Sequence, residues 1–305
     1  MPGLVIDRYA DVLVCQSGTQ GADKLQELVL DVVERALPWK ARAVVERSDA
    51  GVRKLEQLPP RTGVLRGELP AELVVKTAGL AYEVDVLTGH KTGHYLDQRN
   101  NRQRAATFAR GAHVLDAFSY DGLFGIACAL GGAREVVCLD SSEPALERAR
   151  RNAERNGVAQ RVRTEKADAM VALKERARTP ERFELVIVDP PAFAKRKSEL
   201  PGAERGYVEL NRRAIELTAA GGYVVSASCS HHVLPEYFVA FLTHAADLAR
   251  RDVWLEELAG ASPDHPQLLS LPETAYLKCA FMRVGEIESA ALADANVADA
   301  APRVS

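Results

Sequence analysis

The chain has 305 residues, 47% of them hydrophobic, enough apolar material for two ordinary domains with separate cores. Its 39 Lys and Arg against 42 Asp and Glu leave a formal net charge of −3, so no global field attracts polyanions and any nucleic-acid contact must come from local basic patches. No apolar run approaches the roughly 20 residues of a membrane span, and the start MPGLVIDRYADVLV lacks a basic region followed by a long apolar core, so the expectation is a soluble, unexported, cytoplasmic protein.

Up to residue 85 the pattern is that of short strands around one helix. VIDRYADVLVCQ alternates, GADKLQELVLDVVERAL has the apolar spacing of a helix, and ARAVVERSD is extended again. After LPPRTG, the segments VLRGEL, ELVVKT and LAYEVDVL read as strands separated by turns. Residues 1–85 are therefore expected to form a small α+β domain, with no catalytic constellation in it.

From about residue 99 to 283 helix and strand alternate. NNRQRAATFAR is helical, HVLDAFSY a strand, GLFGIACALG a helix, EVVCLD a strand, and EPALERARRNAERNG a long helix ending at Gly157. RVRTEKAD, a helix through MVALKERAR, the strand ELVIVD, a helix near ELNRRAIELTAAGG and the strand YVVSAS follow. Strands alternating with helices of this length predict an α/β fold with a doubly wound parallel sheet, here placed in residues 86–285. Residues 286–305, rich in Ala and Asp without periodicity, are expected to be a disordered tail.

In VLDAFSYDGLFGIACALGG, Asp116 ends a strand, and Gly122 and Gly125 punctuate the turn into a helix, where they let backbone approach a ligand closely. The spacing is neither the dinucleotide pattern G-x-G-x-x-G nor a phosphate loop. Asp140 ends the next strand, where a carboxylate can accept from ribose hydroxyls, and Asp168 ends the third, within reach of an adenine edge. An aspartate at a strand end is often just the N-cap of the following helix, but three at successive strand ends, followed by DPP at the fourth, favour a nucleotide-type site.

Two further strand ends lie about forty residues apart: Asp189 in ELVIVDPPAFAK and Cys229 in GGYVVSASCSHH. Carboxyl ends of parallel strands face one crevice, so a carboxylate and a thiol are brought side by side, an arrangement suited to covalent chemistry. The five cysteines contain no Cys-x-x-Cys pair, and Cys15, Cys128, Cys138 and Cys279 lie in apolar stretches as buried thiols would. Cys229 differs: Ser228 and Ser230 flank it, which argues for a polar setting over a gap-filling one. His231 and His232 fit a helix start or surface better than a catalytic role.

Seven segments together carry a resemblance: HKTGHYLDQRNNR, LDAFSYDGLFGIAC, LDSSEPALERARRNAERNG, IVDPPAFAKRKSEL, GYVELNRRAIEL, SASCSHH and DHPQLLSLPETAYLKC. Over roughly residues 4–284 the chain resembles class I S-adenosylmethionine-dependent methyltransferases, and specifically the bacterial large-subunit ribosomal RNA cytosine-5 methyltransferases. The resemblance implies a Rossmann-like core preceded by a small α+β domain, S-adenosylmethionine as cofactor, structured RNA (ribosomal RNA first) as partner, and no metal. A homodimer stays open. Phe118, Ser119, Ser141 and Pro190 join Asp116, Gly122, Asp140, Asp168 and Asp189 as implied cofactor residues. Cys229 and Asp189 are the implied catalytic pair. Tyr95, Gln98 and Arg99, after Gly93, are implied to border the cleft, although a capping Asp97 and a solvated Arg explain that segment equally well. Lys195, Arg196 and Lys197 are placed to hold phosphates beside a target base, or are simply solvated.

Two departures from the family stand out. Its members usually carry an N-terminal RNA-binding PUA domain, and the match begins instead at the small domain that follows it. Position 192, after DPP, is Ala where the two-cysteine class of RNA cytosine methyltransferases has a second cysteine, so release by a second thiol is excluded. Two rival readings remain at the level of sequence. One is a methyltransferase acting on a base nitrogen or a non-RNA substrate, which needs no thiol; the other is a nonenzymatic RNA-binding or assembly factor on the same fold.

Overall fold

The computed structural model describes residues 2–194 and 196–287, and the chain divides into two compact units, one up to Leu96 and one from Asp97. In the first unit β1 (Leu4–Tyr9) and β2 (Val12–Ser17) form an antiparallel hairpin, followed by α1 (Gln20–Ala36), β3 (Ala43–Ser48) and β4 (Arg61–Gly67). The sheet order is β1-β2-β3-β4, with β2 and β3 parallel, and a parallel pair needs a crossover; α1 is that crossover. Thr19 caps it by accepting from the amide of Ala22 at 3.3 Å. Leu30 of α1 packs with Leu13, Cys15 and Val44 as the core of this unit.

A separate hairpin pairs β5 (Val74–Thr77) with β6 (Leu80–Glu83) through Ala78 and Gly79, both left-handed (φ 53° and 77°), as a two-residue hairpin turn requires. The unit extends past residue 85 because later residues are tied back into it. The Tyr9 hydroxyl shares a hydrogen bond with Thr92 Oγ1 at 2.8 Å, and Arg47 donates to the carbonyls of Val86 (3.3 Å) and Gly89 (2.8 Å). These long-range bonds leave no periodic trace in a stretch of Gly, Thr and His.

The second unit runs α2 (Arg99–Ala106), β7 (His113–Ala117), α3 (Leu123–Leu130), β8 (Glu135–Asp140), α4 (Glu143–Arg155), β9 (Val162–Lys166), α5 (Ala169–Arg176) and β10 (Phe183–Val188). It continues with α6 (Leu200–Leu217), β11 (Thr218–Ser228), α7 (Pro235–Ala249), β12 (Arg251–Ala259) and β13 (Lys278–Ile287). The seven strands form one sheet in the order β12-β13-β11-β10-β7-β8-β9. This is the expected Rossmann-like α/β architecture: β11, β10, β7, β8 and β9 are parallel, and the order reverses beside β7. The sheet is mixed at one end, where β13 inserts antiparallel between β11 and β12. The long connection from β12 to β13 contains no α-helix to carry the chain across the sheet, so β13 returns antiparallel.

Leu115, Ala117, Val137, Leu139, Val186 and Val188 pack on one face with Leu173, Tyr207, Leu210 and Phe238 of α5, α6 and α7. With helices on both faces, these strands read as continuous apolar runs. Helix α6 begins at Leu200, well before the apolar spacing at ELNRRAIEL becomes visible. Pro201 suits its first turn, and Gly206 gives room to the Phe193 ring, 3.0 Å from where a Cβ would sit. The expected tail, 286–305, lies from residue 288 on outside the described residues. Among the described residues no helix is long and apolar enough to cross a membrane, and no three His, Cys, Asp or Glu side chains gather as a metal ion would need.

Gly125 marks how closely α3 lies on the sheet. A Cβ there would stand 2.6 Å from Cys138 Sγ and 2.8 Å from Val136 Cγ1. Alanine is favoured in a helix by about 1 kcal/mol, but overpacking of this kind costs about 1–3 kcal/mol. Gly125→Ala is therefore expected to lower the urea midpoint, and an unchanged or raised midpoint would contradict this packing.

Candidate active site

The carboxyl ends of the five parallel strands converge on one edge of the sheet, and most of the site residues lie there. After β7 the chain turns through Phe118 (φ 62°), Tyr120 (φ 51°) and Gly122 (φ 77°). Left-handed backbone costs a non-glycine residue roughly 1–2 kcal/mol, so two such residues within three positions need outside support. Ser119 N donates to the Leu139 carbonyl at 3.0 Å, Tyr120 N to Asp140 Oδ2 at 2.8 Å, and Asn152 Nδ2 of α4 to the Asp121 carbonyl at 3.2 Å. Gly122 is required twice over: its φ is positive, and a Cβ would approach Ala149 Cβ to 2.9 Å.

Asp116 lies under this turn, 1% exposed, with Oδ2 accepting from Gly125 N at 2.8 Å. Burial pushes its carboxyl up to about 8; the charges of Asp189 and Asp140 add to the rise, while the Gly125 amide and Arg102 oppose it. Asp140 also accepts from Ser142 N through Oδ1 at 2.9 Å, and each of its oxygens keeps a second lone pair for a hydroxyl donor. Ser141 is exposed beside it, and Ser142 caps α4. Asp168 is exposed and caps α5, accepting from Val171 N at 3.0 Å, which is the plain structural role open to it.

The pairing of β10 with β11 aligns Val188 with Ser226, so Asp189 and Cys229 leave neighbouring strands at the same edge. Two further bonds tie the segments that follow. Ala194 N donates to Ser230 Oγ at 3.3 Å, and the buried Tyr207 hydroxyl shares that oxygen at 3.1 Å. Cys229 is partly exposed, whereas the other four cysteines are buried. Gln98 Nε2 donates to Asp189 Oδ2 at 3.1 Å and is itself held by Asn101, whose Nδ2 donates to Gln98 Oε1 at 2.6 Å. Arg99 is engaged with Asp264 at 2.7 Å. Tyr95, in the first unit, meets His90 Nδ1 through its hydroxyl at 2.7 Å. Arg196 is exposed, while Lys195 and the side chain of Lys197 lie outside the described residues. His231 and His232 are both exposed.

A family profile described as S-adenosylmethionine-dependent methyltransferase matches residues 61–278. The chain belongs to the S-adenosylmethionine-dependent methyltransferases. It is 43% identical over 281 residues to a protein of Aeromonas hydrophila subsp. hydrophila named ribosomal RNA large subunit methyltransferase I, covering 91% of this chain and 70% of the relative. A Photobacterium profundum protein of the same name is 41% identical over 280 residues, again covering 91% of this chain and 70% of the relative. The fold is similar to a structure described as a methyltransferase complexed with SAH: TM-score 0.80, 21% identity, 92% of this chain and 71% of that one. A tRNA m1G37 methyltransferase of Methanocaldococcus jannaschii shares the fold at TM-score 0.64 and 15% identity, covering 93% of this chain and 77% of that one.

This methyltransferase uses S-adenosylmethionine, and the residues present fit it. Two buried polar atoms at the turn, Asp116 Oδ1 and Ser119 Oγ, have no protein partner. A buried carboxyl oxygen and a buried hydroxyl left unpaired are costly unless a ligand completes them. Asp116, Ser119 and the backbone at Gly122 would hold the cofactor's polar groups, Asp140 its ribose, and Phe118, Asp189 and Pro190 would complete the wall.

Lys278, Tyr207 and Tyr276 were not singled out by sequence reasoning. Tyr276 donates to Asp97 Oδ2 at 2.6 Å, and Lys278 Nζ donates to the carbonyls of Ser230 and Tyr276, each at 2.8 Å. The available signal was a lysine opening the otherwise apolar run LKCAFM.

Asp116 gives a pH test. Its folded pKa of about 8 lies above the ordinary carboxylate value of about 4, so between these limits the native state holds a proton that the unfolded state has lost. Stability without cofactor should therefore fall as pH rises across that window. Asp116→Asn, neutral throughout, should flatten the decline in urea titrations at the two ends; a slope equal to that of the wild type would contradict a buried, protonated Asp116.

Proposed function

We propose that this methyltransferase forms 5-methylcytosine in ribosomal RNA through a covalent adduct at Cys229. The observation that carries the proposal is one partly exposed thiol among buried ones, at the end of the strand next to the one that ends in Asp189. The name shared by relatives more than 40% identical, ribosomal RNA large subunit methyltransferase I, supports ribosomal RNA as the substrate class.

Carbon 5 of cytosine is too weak a nucleophile to take a methyl group unaided. The Cys229 thiolate adds to carbon 6; the sulfur–carbon bond forms, and the carbon 5–carbon 6 π pair becomes the enamine that makes carbon 5 nucleophilic. Asp189, held by Gln98, is suited to hydrogen-bond the ring nitrogen that takes up the displaced electron density. When bound, S-adenosylmethionine supplies the electrophilic methyl group. Removal of the carbon 5 proton then restores the double bond and expels the Cys229 thiolate. With Ala at 192 no second thiol assists, so the proton goes to water or to a side chain such as His231, whose ring lies 5.3 Å from that of Tyr276. The target base must leave its stack, because a paired ring hides carbon 6.

Undermodified ribosomal RNA incubated with radiolabelled cofactor and digested to nucleosides tests this reading. The wild type should place label in 5-methylcytidine, and Cys229→Ala should lower it by about 10⁴-fold or more, as loss of a nucleophile does elsewhere. Label in a purine, or full activity in Cys229→Ala, would contradict it.

A further inference from the structure

Lys278 occupies a position that is expensive for an ammonium group. It is 3% exposed at the start of β13, between Leu277 and Cys279, both buried. Burial pushes its pKa down to about 8, so near neutral pH it is still largely charged. An ammonium has three donors; two go to the backbone carbonyls of Ser230 and Tyr276, and the third remains for another acceptor.

The sheet register and the Ser230 bond say which segment the ammonium serves. Lys278 is paired with Ser228, the last residue of β11, across the antiparallel β11–β13 ladder, so it stands where the Cys229 segment leaves the sheet. Cys229 follows Ser228, and Ser230, whose carbonyl Lys278 holds, follows Cys229. Lys278 thus clamps the short segment on which the thiol is mounted. A thiolate at Cys229 favours the charged form of Lys278, and because the interaction is mutual the ammonium favours the thiolate.

Several other titratable groups lie near this segment. Tyr207 of α6 is kept neutral by burial, and so is Cys279 of β13. Asp189 at the end of β10 is an acid and, when ionised, opposes a second negative charge. Tyr276 commits its hydroxyl to Asp97, and His231 lies exposed against the Tyr276 ring.

We propose that Lys278 is the positioning residue of the site: it fixes the Cys229 segment through two carbonyls and holds the sulfur as a thiolate, both before it adds and after it leaves. The inference rests on the reading of Cys229 as nucleophile. In the addition the thiolate lends its electron pair to carbon 6, and on elimination the pair returns to sulfur. Lys278 keeps its protons throughout, so the step balances without any further reactant.

The test reads thiol acidity and needs no turnover. Alkylation of Cys229 by iodoacetamide in the full chain, followed by peptide mass spectrometry, is measured from about pH 5 to pH 10, around the ordinary thiol value of about 8.5. The wild-type midpoint should lie below that value. Lys278→Met should raise it by about one unit, slowing alkylation near pH 7 about tenfold, with S-adenosylmethionine affinity kept as the sign of an intact fold. An ordinary midpoint in the wild type, or an unchanged one in Lys278→Met, would overturn the proposal. Should Lys278→Met lose cofactor binding, Lys278→Arg decides: it retains the charge and should keep the low midpoint, and a rise to the ordinary value would equally overturn the proposal. Methylation that survives Cys229→Ala would instead sink the nucleophile reading, whatever the alkylation shows.

Discussion

The parallel pairing of β10 with β11 is the constraint on which the site depends. Its register puts Val188 beside Ser226, so two chain segments far apart in sequence emerge at one sheet edge with a carboxylate on one and a thiol on the other. The segments are then locked to each other, not left to the sheet alone. Ser230 Oγ receives the amide of Ala194 and meets the hydroxyl of Tyr207, while Lys278 takes the Ser230 carbonyl from the opposite strand. Loops usually carry function at the expense of order; here a buried serine joins them to the core.

The same edge concentrates groups that a purely structural sheet would avoid. Asp116 is a buried carboxyl, Lys278 a buried ammonium, and Phe118 and Tyr120 hold left-handed backbone. Each is unfavourable alone, and each is surrounded by bonds that specify it. Lys278 has two carbonyls, the turn has Asp140 and Leu139, and Asp116 has the Gly125 amide together with one oxygen left without a protein partner. Strain and unpaired polarity at one place are how a methyltransferase prepares for a charged ligand before the ligand arrives.

The alternating core was legible in the sequence because fully buried strands such as ELVIVD and EVVCLD stand out as short apolar runs between helical patterns. The ends of those strands were legible for the same reason: Asp140, Asp189 and Cys229 are where each run stops, and Asp116 stands one residue before the end of β7. What escaped was set by distant partners. The antiparallel entry of β13 depends on a long connection without a helix, the first turns of α6 include a Gly206 that makes room for the Phe193 ring, and the ties of residues 86–96 depend on Tyr9 and Arg47. Lys278 was hidden most deeply. Its neighbours in sequence are apolar, and only the pairing of β13 with β11 and the bond to the Ser230 carbonyl tie it to the Cys229 segment. Asp168 shows what a structure adds to a strand-end carboxylate: it caps α5 through one oxygen and leaves the other exposed.

The central claim, a covalent bond between Cys229 and carbon 6 of a cytosine, can be tested by blocking its release. Replacement of cytidine by 5-fluorocytidine in the RNA removes the carbon 5 proton whose departure expels the thiolate, so the adduct should accumulate in the presence of S-adenosylmethionine. Digestion and mass spectrometry should then find a methylated fluorocytidine on the peptide containing Cys229. An adduct on any other residue, or turnover of unsubstituted RNA with no adduct trapped from the fluorinated substrate, would contradict the account.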